Sequence, residues 1–182
     1  MFLDNTYFQG ELSIPNLIFV EPGGVGTMIE AVNEQSFDWY LGKYEVKFMN
    51  ELLGSEMYSR MMTEIEDGNE WSKLRNKIYV HTGSGNYSPA ANYVYFYSTR
   101  NMQTQTSPQG EVRDRKDYSS VVSANPKLVR VWNDMVDMIT DIRKYIGQNE
   151  CLYGKIGNDA RLFKYINTVS YTHLTLPTIL RV

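Results

Sequence analysis

The sequence predicts a mainly α-helical fold: a helical bundle with an irregular N-terminal arm and an extended loop or β-hairpin excursion. Three observations carry this. Apolar residues recur every three or four positions across residues 36–54 and again across 125–147, which lines one face of a helix. Ser88-Pro89 and Asn125-Pro126 each place a capping side chain before a proline at the first helical position. Residues 103–112 break the pattern, with polar and threonine residues alternating around Ser107-Pro108-Gln109-Gly110.

Taken in order, residues 1–35 read as an arm. Leu12, Ile14 and residues 17–20 are candidates for short strands, confined to edges by Pro15, and Glu21-Pro22-Gly23-Gly24-Val25-Gly26 is a turn. Helical periodicity then starts at Ser36, a capping residue, and runs through Phe37, Leu41, Tyr44, Phe48 and Leu52 to Gly54 as the left-handed terminator. Gly42 inside this helix is unfavourable by about 1 kcal/mol relative to Ala, which predicts close packing there. Ser55 caps a second helix carrying Met57, Tyr58, Met61, Met62 and Ile65, and Trp71, Leu74 and Ile78 mark a short third one. Thr82-Gly83-Ser84-Gly85-Asn86 is a loop. The helix opened by Ser88-Pro89 is apolar nearly all round at residues 93–97, so it is buried on several sides, by its own fold or by neighbouring subunits. The last strong helix carries Leu128, Val131, Trp132, Met135, Met138, Ile139, Ile142, Tyr145 and Ile146 as far as Gly147. This divides the chain into an arm (1–35), a helical domain (36–147) and a C-terminal extension (148–168). Residues 169–182 form a tail whose Val169-Ser170-Tyr171-Thr172-His173-Leu174-Thr175-Leu176-Pro177-Thr178 resembles translated sequencing-adaptor DNA, which makes it non-native and removes His173 from any functional argument.

Composition bounds the function. The chain has 182 residues, 42% of them hydrophobic, enough for one core of ordinary size. Tyr, Phe and Trp together make 13%, dominated by 14 Tyr, and Tyr suits interfaces as well as cores. The apolar runs at 17–20 and 93–97 fall far short of the ~20 residues a membrane helix needs. Met1-Phe2-Leu3-Asp4 lacks the basic region of a secretory signal, and a single cysteine excludes a disulfide framework. A net charge of −3 argues against broad nucleic-acid binding. The chain therefore reads as soluble, and intracellular at least when made.

No catalytic constellation emerges. Gly23-Gly24-Val25-Gly26-Thr27 after an apolar run suggests a phosphate-cradling loop, but neither the P-loop Lys nor its hydroxyl follows Gly26, and Ile29 stands where a dinucleotide fingerprint needs glycine. A turn is the better reading. His81 and Cys151 each stand alone, which excludes a zinc cluster and leaves Cys151 without a basic partner. Asp134, Asp137 and Asp141 fall on one side of the last helix, a candidate for a divalent cation, but such a geometry is met mostly in solvated or salt-bridged faces. Arg113, Arg115 and Lys116 sit in a mixed-charge loop that serves solubility or meets that acidic face on another subunit. Tyr93, Tyr95, Phe96 and Tyr97 are read as packing between helices, within or between subunits. The reading assigns no catalytic residue, no metal and no cofactor.

Four stretches resemble the head–tail connector (adaptor) proteins of tailed phages and prophages. They are Thr6-Tyr7-Phe8-Gln9-Gly10-Glu11-Leu12-Ser13-Ile14-Pro15-Asn16; Tyr44-Glu45 with Phe48, Leu52-Leu53-Gly54 and Met57-Tyr58; Ser88-Pro89-Ala90-Ala91-Asn92-Tyr93-Val94 with Thr106 and Gly110-Glu111; and Lys127-Leu128-Val129-Arg130 with Trp132-Asn133-Asp134-Met135-Val136. The likeness is one of pattern and order, and it fades after Gly147. It implies a non-enzymatic virion protein, assembled in the host bacterial cytoplasm, that forms a homo-oligomeric ring, docks on the portal protein and joins the head to tail or neck proteins. DNA would be cargo passing through, and no membrane would be involved. Within the same resemblance, a tail-completion or neck protein is the alternative; a nucleotide-binding enzyme using the Gly23–Thr27 loop is a distant one.

Overall fold

Helix α1 forms where the apolar stripe predicts it but starts earlier. It spans Met28–Leu53, so Ser36 lies inside it and the boundary drawn at residue 35 cuts one continuous helix. The computed structural model describes residues 1–14, 28–83, 85–102, 105–107, 110–112 and 125–167, with side chains from Phe37 onward in α1. Phe37, Leu41, Tyr44, Phe48 and Leu52 are buried as their spacing requires, and Met49 and Leu53 widen the stripe. The helix stops at Gly54, whose φ of +83° suits glycine and whose N–H donates to Asn50 O at 2.9 Å. Gly42 does not mark close packing: a Cβ there would meet nothing within 4 Å.

Helix α2, Ser55–Glu64, turns Met57 and Met61 inward. Ser55 is not its cap; Gly54 occupies that position. Helix α3, Glu70–Ile78, is capped by Asn69, whose side chain accepts from Ser72 N at 2.9 Å, and buries Trp71, Leu74 and Ile78. The expected loop at 82–86 is the tip of an antiparallel hairpin, β1 (Val80–Thr82) with β2 (Gly85–Tyr87), in the register Val80↔Tyr87.

Helix α4, Pro89–Met102, begins as predicted, with Ser88 Oγ accepting from Ala90 N at 3.2 Å. A second antiparallel hairpin, β3 (Gln105–Ser107) with β4 (Gly110–Val112), fulfils the expected excursion. Helix α5, Asn125–Gln148, buries Leu128, Val131, Trp132, Met135, Val136, Ile139, Ile142 and Ile146. Helix α4 packs against both α1 and α5, so it forms the centre of the bundle. The fold is mainly α, as predicted.

Two ends differ from expectation. Residues 1–14 are no free arm, because Leu3, Tyr7, Phe8 and Leu12 are buried in the same core as the helices. They form 3₁₀ turns at Asn5–Tyr7 and Gly10–Leu12 rather than strands. Asp4 caps the first, accepting from Thr6 N at 2.8 Å, and Gly10 opens the second with φ +58°. At the other end, α6 (Glu150–Tyr153) buries Tyr153, and residues 154–167 run back over the body as a strap with one turn, closed by Ala160 N donating to Gly157 O at 3.0 Å. The strand candidate at 17–20, the Gly23–Thr27 loop and the tail from 169 lie outside the described residues.

Candidate functional site

The aromatic segment of α4 is the centre of the molecule, and of the two covers its sequence allows, its own fold or neighbouring subunits, the chain's own helices supply the first. Tyr93, Tyr95 and Phe96 are buried within the single chain. Tyr93 packs on Phe48 at 5.3 Å and Tyr97 at 4.7 Å, and Phe96 on Trp132 at 4.7 Å. Tyr93 Oη donates to Glu51 Oε2 at 3.0 Å, and burial, Tyr97 and Glu51 all push its ionisation far above the usual range. Asn92, also buried, donates to Val131 O at 3.0 Å and ties α4 to α5. An all-round apolar helix needs cover on every side; α1 and α5 supply it here. Tyr97 is the half-buried member, stacked on Tyr44 at 5.0 Å with an interplanar angle of 10°.

The three aspartates on α5 share an exposed side but not a site. Asp134 faces Glu11 of the second 3₁₀ turn; burial and the carboxylates of Glu11 and Asp137 push its pKa above the ordinary carboxylate value while Arg130 opposes them. Asp137 accepts from Tyr165 Oη. Asp141 lines a hollow of about 170 Å³ with Lys77, whose walls include Ile78, Tyr87, Met138 and Ile142. Among the described residues no cluster of three His, Cys, Asp or Glu side chains could hold a metal ion. Arg113, Arg115 and Lys116 lie outside the described residues, so their pairing with this face has no structural account. His81 shares a hydrogen bond with Tyr7 Oη at 2.8 Å, and Cys151 is exposed on α6.

The surface with recognition chemistry is on α1, and it escaped the sequence reading. Trp39 is 58% exposed and Val46, two turns on, is 47% exposed. Lys43, between them in sequence, has its Nζ 4.6 Å from the Trp39 ring centroid and 5.5 Å from that of Tyr44. Tyr40 stacks on Tyr44 at 5.9 Å, and Tyr44 on Tyr97, so this outward edge continues into a stack of half-buried and buried rings. The signal was present in the spacing: 39, 43 and 46 repeat at helical intervals opposite the buried stripe. An exposed Trp backed by rigid stacked rings has the form of an interface anchor.

A buried carboxylate fixes the N-terminal segment beside this helix. Glu45 is 2% exposed, and its Oε1 accepts from Phe2 N at 2.7 Å, Leu3 N at 3.1 Å and Tyr79 Oη at 3.0 Å. Burial, then Glu45 itself, holds the Tyr79 hydroxyl protonated well above its usual range. This cluster joins α1, α3 and the first residues, and it is structural. Among the described residues no helix is long and apolar enough to cross a membrane. No family model, no curated protein and no solved structure matches the chain.

Proposed function

We propose that the chain is a non-enzymatic structural protein of a phage virion, a head–tail connector that docks on the portal protein and links the head to tail or neck proteins. The ordered likeness of four stretches to connector proteins supports the reading. The observation that carries its mechanism is the exposed Trp39–Lys43–Val46 line on α1. Ring assembly uses heterologous contacts, in which one face of a subunit meets a different face of the next. With Tyr93, Tyr95 and Phe96 enclosed by the chain's own helices, the rigid aromatic edge of α1 takes the role of anchor on a neighbouring copy.

The test is the mass of the purified chain by light scattering, alone and mixed with portal protein. The expected result is a ring-sized species on the portal, and its loss in Trp39→Ala. A chain that stays monomeric and ignores the portal overturns the reading. Binding to a neck or tail protein without the portal moves the assignment to a tail-completion or neck protein.

A further inference from the structure

The strap of residues 154–167 is held through its backbone. Gly157 N donates to Leu53 O at 3.1 Å and Arg161 N to Glu51 O at 2.7 Å, both at the end of α1. On α5, Asn133 reads both sides of one residue, its Nδ2 donating to Ile166 O at 3.2 Å and its Oδ1 accepting from Ile166 N at 2.9 Å. Trp132 Nε1 donates to Lys164 O at 2.9 Å, and Arg143 Nη2 to Arg161 O at 2.6 Å. Of the strap's side chains Phe163 alone is buried, set among Phe48 of α1, Tyr93 of α4 and Trp132 of α5 at centroid distances of 6.0–6.4 Å. Leu162 and Tyr165 beside it are 68% and 54% exposed.

Main-chain bonds along an extended segment, with one pocket for one side chain, are the means by which proteins bind peptides. We propose that the α1–α5 groove is a peptide-binding groove occupied in cis by the chain's own strap, and that its partner in trans is the same strap of a second copy. The groove matches this segment along its length: Ser55 meets Asp159, Glu51 meets Arg161, Asp137 meets Tyr165, and the aromatic pocket takes Phe163. A neighbour's strap would make identical contacts, so exchange leaves none unmade, and Gly154 at φ +81° places a permissive joint at the strap's root. The inference is independent of the connector reading, since it concerns any pair of these chains.

The test uses a labelled synthetic peptide of residues 155–167 and the full chain with Phe163→Ala, whose own strap has lost its anchor. The variant is expected to bind the peptide at least about tenfold more tightly than the wild-type chain does. A peptide carrying Ala at 163 should bind about a hundredfold more weakly than the native peptide. Wild-type chains labelled with donor and acceptor dyes on Cys151, exposed near the strap's root, should develop energy transfer that excess peptide abolishes. A variant with wild-type circular dichroism that binds no better than wild type overturns the proposal, as does transfer that is absent or insensitive to the peptide. Should Phe163→Ala not fold, hydrogen exchange on the wild-type chain decides. The Gly157, Arg161 and Ile166 amides are expected to exchange by local opening, about a hundredfold faster than core α5 amides. Exchange at the core rate overturns the proposal.

Discussion

Glu45 shows how much of this fold rests on single side chains. One of its oxygens takes three donors while the other, also buried, has no partner among the described residues. Removing the acceptor strands two backbone N–H groups and a hydroxyl, each costing about 1–3 kcal/mol when buried. Glu45→Ala should therefore lower stability by roughly 3 kcal/mol or more, read as a drop in urea midpoint, whereas Glu45→Gln keeps an acceptor and should lose less. The glycines divide the same way. Gly42→Ala gains helix propensity at an open position and should stabilise by about 0.5–1 kcal/mol. Gly54→Ala meets φ +83° and would bring its Cβ within 2.9 Å of Gly157 Cα, so it should destabilise by at least about 2 kcal/mol. Tyr7 adds a pH dependence. Burial, then Asp4 and Glu45, raises its hydroxyl to about 12, against about 10 in an unfolded chain. Below pH 10 both states keep the proton; between 10 and 12 the unfolded chain gives it up first, so stability falls as pH rises through that window. Melting temperature followed from pH 8 to 12 should decline above 10, less steeply in Tyr7→Phe.

Among the elements, those stabilised by a periodic apolar face were legible. The buried stripes of α1 and α5 and the Ser88-Pro89 start of α4 follow local rules of spacing and capping. The early start of α1 was hidden because Ser36 satisfies a capping rule while lying within the helix. The strap was illegible for a different reason. Its order comes from bonds to Glu51, Leu53, Trp132 and Asn133, and no period in residues 154–167 records a partner so far away in sequence. Likewise Trp39 was readable from spacing and overlooked, whereas Glu45's three donors belong to residues no local pattern connects. The strap also caps α2 from outside, since Asp159 accepts from the Ser55 N–H at 2.9 Å and its hydroxyl at 2.6 Å. These bonds hold the Asp159 carboxyl below its ordinary value. Its stabilisation is present above about pH 4, the unfolded value, and is lost as pH falls further. Asp159→Ala should lower the melting temperature at pH 7 and flatten its decline below pH 4.

For the molecule as a whole, the aromatic content, suited to interfaces as well as cores, is largely spent inside. Trp71 and Trp132 are buried with Tyr93, Tyr153 and Phe163, while Trp39 stands outside. Acrylamide should therefore quench one accessible tryptophan class in the free chain, and that class should disappear in Trp39→Phe. Protection of it on binding portal protein is the expected signature of the proposed assembly, and unchanged quenching in a portal-bound chain would move the contact away from α1. Charge contributes little to this picture: the ion pair that ties Arg130 to Glu11 is exposed at both ends, and such pairs contribute about 0–1 kcal/mol. The crossing of Gly54 and Gly157 has a consequence in time. Because backbone at residues 51–54 is closed over by backbone at residues 157–161, the nascent polypeptide leaves the Phe48–Tyr93–Trp132 pocket open until residues 154–167 have left the ribosome. Closure of this pocket thus waits on the synthesis of a segment more than 100 residues later than α1.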